Sequence, residues 1–424
     1  MNYDVVAGVD SDTFHNLVKE FYKALYPAIL TGQLPINALG IAAVGFDINE
    51  VPYATFGPSQ TARDYFEHGV TEAKWGLTDA ATPEHRSTLV ELASAAAFDF
   101  AAPNIILSMT FTNGKPPRTI NCSLTGTITI QTGTTSGQNF LTGEIMAATL
   151  ALPSEPGIAK VLNETFVPLL ISYLNSNLLN AINIPQLAYK SVQLSMPVPV
   201  VTKGYLNVYS ALGSVQPDIP PPASWPAGCV LIGTDVAVLQ AAVGTIFPMG
   251  PSTGFNWEII SGQVGAQVLP PNPIVINGDG SLTATIAANA DCQLTLHTPN
   301  WLPNVSFGPS ATASITATLL PSVSNGELQV SIEGIPTPHF SFDWGIPGWI
   351  NWLFSPLEDG LSDALNAILG PLLGQVLTFP PISIMSLPTP SFHLAGKTIT
   401  LTIDQATTGN VNSLLSVQAQ ATLS

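Results

Sequence analysis

The chain makes one passage twice, and that duplication limits its fold more than any single motif. "LLNAINIPQLAYKSVQLSMPVPVVTKGYLNVYSAL" (Leu178–Leu212) and "LLGQVLTFPPISIMSLPTPSFHLAGKTITLTIDQA" (Leu372–Ala406) follow the same course. Each closes an apolar helix, breaks at Ile-Pro or Phe-Pro, and continues as an extended piece interrupted by prolines. Each then reaches a Gly/Lys turn, Lys203-Gly204 or Gly396-Lys397, and an alternating strand. The beginnings match as well. "DVVAGVDSDTFHNLVKEFYKAL" (Asp4–Leu25) and "CVLIGTDVAVLQAAVGTIFP" (Cys229–Pro248) both read as a short apolar strand, a Gly, a capping residue and a helix. Phe14, Leu17, Val18, Phe21 and Leu25 fall at helical spacing, as do Leu239, Ala242, Val243, Ile246 and Phe247.

The long helix of each copy has more apolar surface than one sheet face requires. No charged side chain occurs between Glu164 and Lys190. The run Thr165–Ile182 approaches the length of a membrane span. Ser172, Asn175, Ser176, Asn180 and Asn183 nevertheless recur at three- and four-residue steps and form one narrow polar stripe. Pro168 suits a first helical turn and disfavours a span, so the spacing predicts a helix lying in an apolar groove. The second helix repeats the pattern. Its stripe is Asp359, Asp363, Asn366, Gly370 and Gly374, and its arc holds Leu357, Leu361, Leu365, Ile368, Leu369, Leu372 and Val376.

Between these ends each half reads as strands. "SLTGTITIQ" (Ser123–Gln131), "SLTATIA" (Ser281–Ala287), "ATASITATL" (Ala311–Leu319) and "LLSVQAQATL" (Leu414–Leu423) alternate with period two, the signature of antiparallel sheet with one buried face. "NGDG" (Asn277–Gly280) is a hairpin-type turn. "GSVQPDIPPPASWPAG" (Gly213–Gly228) cannot continue a ladder, which divides the chain into residues 1–213, a proline-rich linker 214–227, and residues 228–424. The first half is longer, and its surplus falls in Gly57–Ala97, a helix-prone and charged insertion.

Composition narrows the partners. Only 9% of residues are charged and the formal net charge is -17, which argues against nucleic acid and against simple electrostatic attachment to anionic membranes. The N-terminal stretch has no basic n-region or apolar core of signal-peptide length, so cytoplasmic synthesis is expected, with any export by a leaderless route. Cys122, Cys229 and Cys292 have no motif spacing and no disulfide framework is expected.

The duplicated order of helix, sheet, long apolar helix, Pro and strands, joined by a proline-rich centre, resembles the tubular lipid-binding (TULIP) superfamily in its two-repeat, bactericidal/permeability-increasing-like form. The opening "YDVVAGVDSDTFHNLVKEFY" is also similar to the TULIP-like accessory proteins of bacterial toxin clusters. The resemblance implies an α+β fold of two tandem barrels, each a strongly bent antiparallel sheet wrapped around a long apolar helix, with a tunnel for acyl chains. The signal peptide and paired cysteines of secreted animal members are absent from this sequence. Candidate tunnel liners are Phe166, Leu170, Tyr173 and Leu174 in the first half and Leu361, Leu365, Ile368 and Leu372 in the second, with Phe14, Leu17, Phe21, Ile246 and Phe247 from the shorter helices. Ordinary core packing is the alternative for each of them. "GIPGWINWLFSP" (Gly345–Pro356) places Trp349, Trp352 and Phe354 together, either as a tip that contacts membrane or as a plug closing a barrel end.

Three catalytic signatures are missing. The sequence has no GxxxxGK[ST], HExxH or paired CxxC. Glu67-His68 and Glu84-His85-Arg86 read as a solvated helical face, and Glu358, Asp359 and Asp363 as carboxylates offsetting a helix dipole. The expectation is therefore a lipid-binding protein without metal, cofactor or catalysis, with lipid as its partner and a membrane surface or a protein as further partners. The alternative is a scaffold or accessory subunit of a toxin or secretion complex, its tunnels filled by side chains.

Overall fold

The computed structural model describes residues 3–69, 87, 90, 91, 93–190, 192–215, 217, 225–244, 250, 252–257, 260–298, 303–333, 338–346, 348, 351–377 and 381–424. The first half runs β1 (Val5–Asp10), α1 (Ser11–Leu25), β2 (Thr31–Ala38), β3 (Ile41–Ile48), β4 (Tyr53–Thr55), β5 (Ala97–Phe111), β6 (Arg118–Thr135), β7 (Gln138–Ala151), α2 (Pro156–Thr165), α3 (Val167–Asn177), β8 (Ile184–Pro185), β9 (Ala188–Tyr189), β10 (Val198–Thr202) and β11 (Tyr205–Ser210). The second half begins with β12 (Val230–Thr234), α4 (Val236–Gly244), β13 (Ser252–Asn256), β14 (Ile260–Val268), β15 (Ile274–Ile276) and β16 (Leu282–Leu296). It continues with β17 (Val305–Phe307), β18 (Ser310–Ser324), β19 (Glu327–Glu333), β20 (Ser341–Asp343), α5 (Glu358–Leu377), β21 (Ile382–Ser386), β22 (Ser391–Leu394), β23 (Lys397–Val411) and β24 (Leu414–Leu423).

The fold is α+β, and its described strand pairs are antiparallel. The first-half sheet has the order β2-β3-β5-β6-β7-β8, and the second-half sheet β13-β14-β16-β18-β19-β21 repeats that order before adding β9 at its edge. Register shifts between Ala102 and Ile105 on β5, and at Met146 of β7 opposite Thr127 and Ile128, bend β5 and β7, because each bulge increases local twist. A third sheet, β10-β11-β1-β12-β24-β23-β22, is built from both halves. At its centre β1 pairs with its own equivalent β12, from Val5↔Thr234 to Val9↔Val230. β9 crosses likewise into the second-half sheet, with Tyr189 opposite Met385. Much of the 214–227 linker and of the Gly57–Ala97 insertion lies outside the described residues.

Helix starts follow local chemistry. Asp10 caps α1 by accepting from the Thr13 N–H at 2.8 Å, and Asp235 accepts from the Ala237 N–H at 2.9 Å before α4. Within the helix expected across Thr165–Ile182, α3 covers Val167–Asn177 with Pro168 in its first turn, and a single 3-10 turn, Leu179–Ala181, follows it, while α2 precedes the run and ends at Thr165. Its polar stripe grips the sheet. Asn175 Oδ1 accepts from the Ile145 N–H at 2.8 Å and Asn175 Nδ2 donates to the Ile145 carbonyl at 3.1 Å. Asn163 makes the same pair of bonds to Leu150, and Asn366 on α5 makes them to Phe340. An amide side chain carries a donor and an acceptor, so it replaces a missing strand partner.

The two halves fill their interiors differently. On the inner faces of β16 and β18, Ala284 faces Ala317, Ala288 faces Ala313 and Ala290 faces Ala311. These small side chains let α5 settle on the sheet, burying Leu361, Leu365, Leu369 and Leu373 in one continuous core. The first half presents Phe100, Leu124 and Ile128 from its strands toward α1 and the central sheet, where space remains.

Candidate functional site

That space is a cavity of about 450 Å³ between the first-half sheet and the central sheet. α1 supplies one wall with Phe14, Leu17, Val18 and Phe21, which the three- and four-residue spacing brings to one face. Phe98, Phe100, Leu124, Ile128 and Ile130 supply the sheet wall, and Leu174, Leu178 and Leu179 extend it past the end of α3. The opposite wall is the central sheet, with Val9, Leu206, Val208 and Ile232. The second half closes the space with Pro388, Pro390, Phe392, Leu401 and Ile403. Phe14 is held by Phe56 at 5.0 Å and Phe98 at 5.7 Å between ring centroids, and Phe21 lies 5.9 Å from Phe392. Two lining residues reach the surface, Tyr53 at 46% exposure and Ile184 at 37%.

No lining residue carries a charge. Polar side chains enter the wall at few places, among them Thr142, Gln186 and Ser210 near Ile184. Apolar cavities a third of this size stay dry, so water is a poor occupant.

The residues singled out from the sequence separate into groups. Phe14, Leu17, Phe21 and Leu174 line the cavity. Phe166 and Leu170 are buried in the first-half core beside it, and Tyr173 packs edge-on to Phe46 at 5.4 Å. Leu361 and Leu365 are buried in the second-half core and Ile368 and Leu372 pack against it; none of these four lines the cavity. Ile246 and Phe247 lie outside the described residues. So do Trp349 and the side chain of Trp352. Phe354, considered as a membrane contact, is only 1% exposed and packs on Trp344 at 5.0 Å and Phe307 at 5.5 Å, which gives its ring an interior environment. Absent from the sequence expectations are the walls from β11, β22 and β23.

Among the described residues no group of His, Cys, Asp and Glu gathers for a metal ion, and no helix is long and apolar enough to cross a membrane. The thiols of Cys122 and Cys292 are both pushed up to about 11, foremost by burial, with Asp291 adding to the effect at Cys292.

No protein-family model matches the chain, and no curated protein matches it. Among solved structures it is similar to the crystal structure of lipopolysaccharide binding protein, at 11% identity and a TM-score of 0.32, covering 100% of this chain and 99% of that one. It is also similar to P47 of Clostridium botulinum E1, at 8% identity and a TM-score of 0.45, covering 99% of each chain. These are distant likenesses of overall fold, and what the cavity accepts follows from its own walls.

Proposed function

We propose that this chain is a non-enzymatic lipid-binding protein, with an acyl chain lying between the first-half sheet and the central sheet. Each half is then a barrel of the tubular lipid-binding kind, and the first is the one shaped for a guest. The observation that carries this reading is the cavity of about 450 Å³ with no charged side chain in its wall. Each buried CH₂ contributes ~0.8 kcal/mol, so about a dozen methylenes gain on the order of 10 kcal/mol before ordering costs. That gain needs no ionic contact. A membrane surface is then the source or destination of the lipid.

A photoactivatable acyl methyl ester bearing a diazirine in mid-chain tests this directly. Crosslinked peptides should map to α1 and to β6, around Leu17, Phe21 and Ile128, while peptides of α5 stay unlabelled. Labelling concentrated on α5, or no labelling above that of denatured protein, overturns the proposal. A second reading, a scaffold subunit of a toxin or secretion assembly, is favoured by the filled second half, where alanine faces and α5 leave Leu365 and Leu369 fully enclosed. It anticipates no specific labelling at all.

A further inference from the structure

The apolar cavity has a polar notch in which the hydrogen bonds run in one direction. Thr134 Oγ1 donates to Asn139 Oδ1 at 2.8 Å, and Asn139 Nδ2 donates to Gln186 Oε1 at 2.8 Å. Gln186 Nε2 then donates to the Ser195 carbonyl at 2.7 Å and to Ser210 Oγ at 2.9 Å. A backbone carbonyl can only accept, which fixes the orientation of the Gln186 amide, and both of its protons are thereby committed. Ser210 therefore stands at the end of the series as an acceptor. Its own proton meets no acceptor among the described residues. Ser210 is 4% exposed and lines the cavity. A hydroxyl that accepts one hydrogen bond becomes a better donor, because chained bonds polarise one another. A buried donor without an acceptor is costly, which calls for one in the guest.

We infer that the Ser210 hydroxyl receives a neutral ester carbonyl, so that the cavity takes an acyl ester and not a free carboxylate or a phosphate at this point. The inference rests on the lipid-binding reading above and adds the chemistry of the linkage. A carboxylate or phosphate in the notch meets no cation among the lining residues, and an unpaired buried charge is strongly disfavoured. An ester carbonyl matches the unspent donor and brings neither a charge nor a donor of its own. A plain hydrocarbon gains nothing from the notch. Gln186, held by Asn139 and Ser195, is the positioning residue that aims the serine.

The test compares methyl hexadecanoate with octadecane, both presented on cyclodextrin, as competitors of the neutral fluorophore N-phenyl-1-naphthylamine on the full chain. The wild type should prefer the ester by about five- to tenfold, the worth of one net hydrogen bond. Ser210→Ala should remove the preference while octadecane binds as before, and Ser210→Thr, which keeps the hydroxyl, should restore it. The infrared carbonyl band of the bound ester should move to lower frequency in the wild type and not in Ser210→Ala. Equal binding of ester and alkane by the wild type, an undiminished preference in Ser210→Ala, or an unshifted band overturns the inference and leaves lipid binding standing. Failure of both ligands to bind removes the lipid-binding reading and the inference with it.

Discussion

Gly143 offers a substitution whose two effects should have opposite signs. It lies on β7 and lines the cavity, and the nearest atoms to a Cβ built there are those of the Ile128 and Leu179 side chains at 3.7 Å, ordinary van der Waals contact. Gly143→Leu therefore adds four carbons where there is space. At roughly 30 Å³ per heavy atom, by analogy with the share of a water molecule, they occupy about 120 Å³, a quarter of the volume. About four methylenes of a guest are displaced, costing ~3 kcal/mol, so acyl-ligand affinity should fall about 200-fold. The unliganded protein should become more stable by ~1 kcal/mol, since a strand glycine is replaced and apolar space is filled. Gly126→Leu is the contrast. A Cβ there meets the Ala147 carbonyl oxygen at 2.4 Å and the Phe100 ring at 2.7 Å, so this variant should lose stability. Titration with a fluorescent acyl ester and thermal unfolding of delipidated protein supply both readouts. If Gly143→Leu lowers the melting temperature and leaves affinity unchanged, the position is ordinary core and the reasoning fails.

Three further outcomes are expected. Leu365→Ala, at a fully enclosed position on α5, should cost about 2–5 kcal/mol in urea unfolding and leave acyl affinity within twofold; a loss of binding would place the guest in the second half. Asn175→Ala removes both bonds to Ile145 and should cost about 2 kcal/mol, with faster amide exchange at Ile145; unchanged exchange would deny the asparagine its strand-like role. With thiols pushed up to about 11, Cys122 and Cys292 should be about one part in a thousand thiolate at pH 8 and stay silent to an aromatic disulfide reagent until denaturation. Because burial raises these values, reactivity should appear only as pH rises toward 11; rapid reaction of both at pH 8 would contradict their burial.

The recurring order of elements was legible because it is written in local chemistry. Asp10 caps one helix, prolines break the chain after Ile184 and Phe379, and an alternating strand follows in each copy. The structure repeats the strand order of the two sheets accordingly. The contents of the two halves were not legible. Leu174 and Leu365 sit on equally apolar helices, yet one reaches the cavity and the other is sealed in a core. One half pairs alanines along β16 and β18, whereas large side chains from β5 and β6 wall the cavity of the other. Strand pairing across 200 residues decides that, and periodicity within a strand does not encode its partner. The far wall escaped notice for the same reason. Leu206 and Leu401 belong to strands recognisable by alternation, but only the β1–β12 pairing brings both to one space. The polar stripe of the helix was visible as a pattern and became intelligible only once Asn175 was seen holding Ile145.

Native mass spectrometry of the purified chain, before and after extraction with organic solvent, bears most directly on whether the walls between the first-half and central sheets enclose a guest. One acyl lipid per chain, lost on extraction and regained on incubation with ester-containing vesicles, is the expected result. A bare protein mass that stays bare after incubation with every vesicle composition would contradict it.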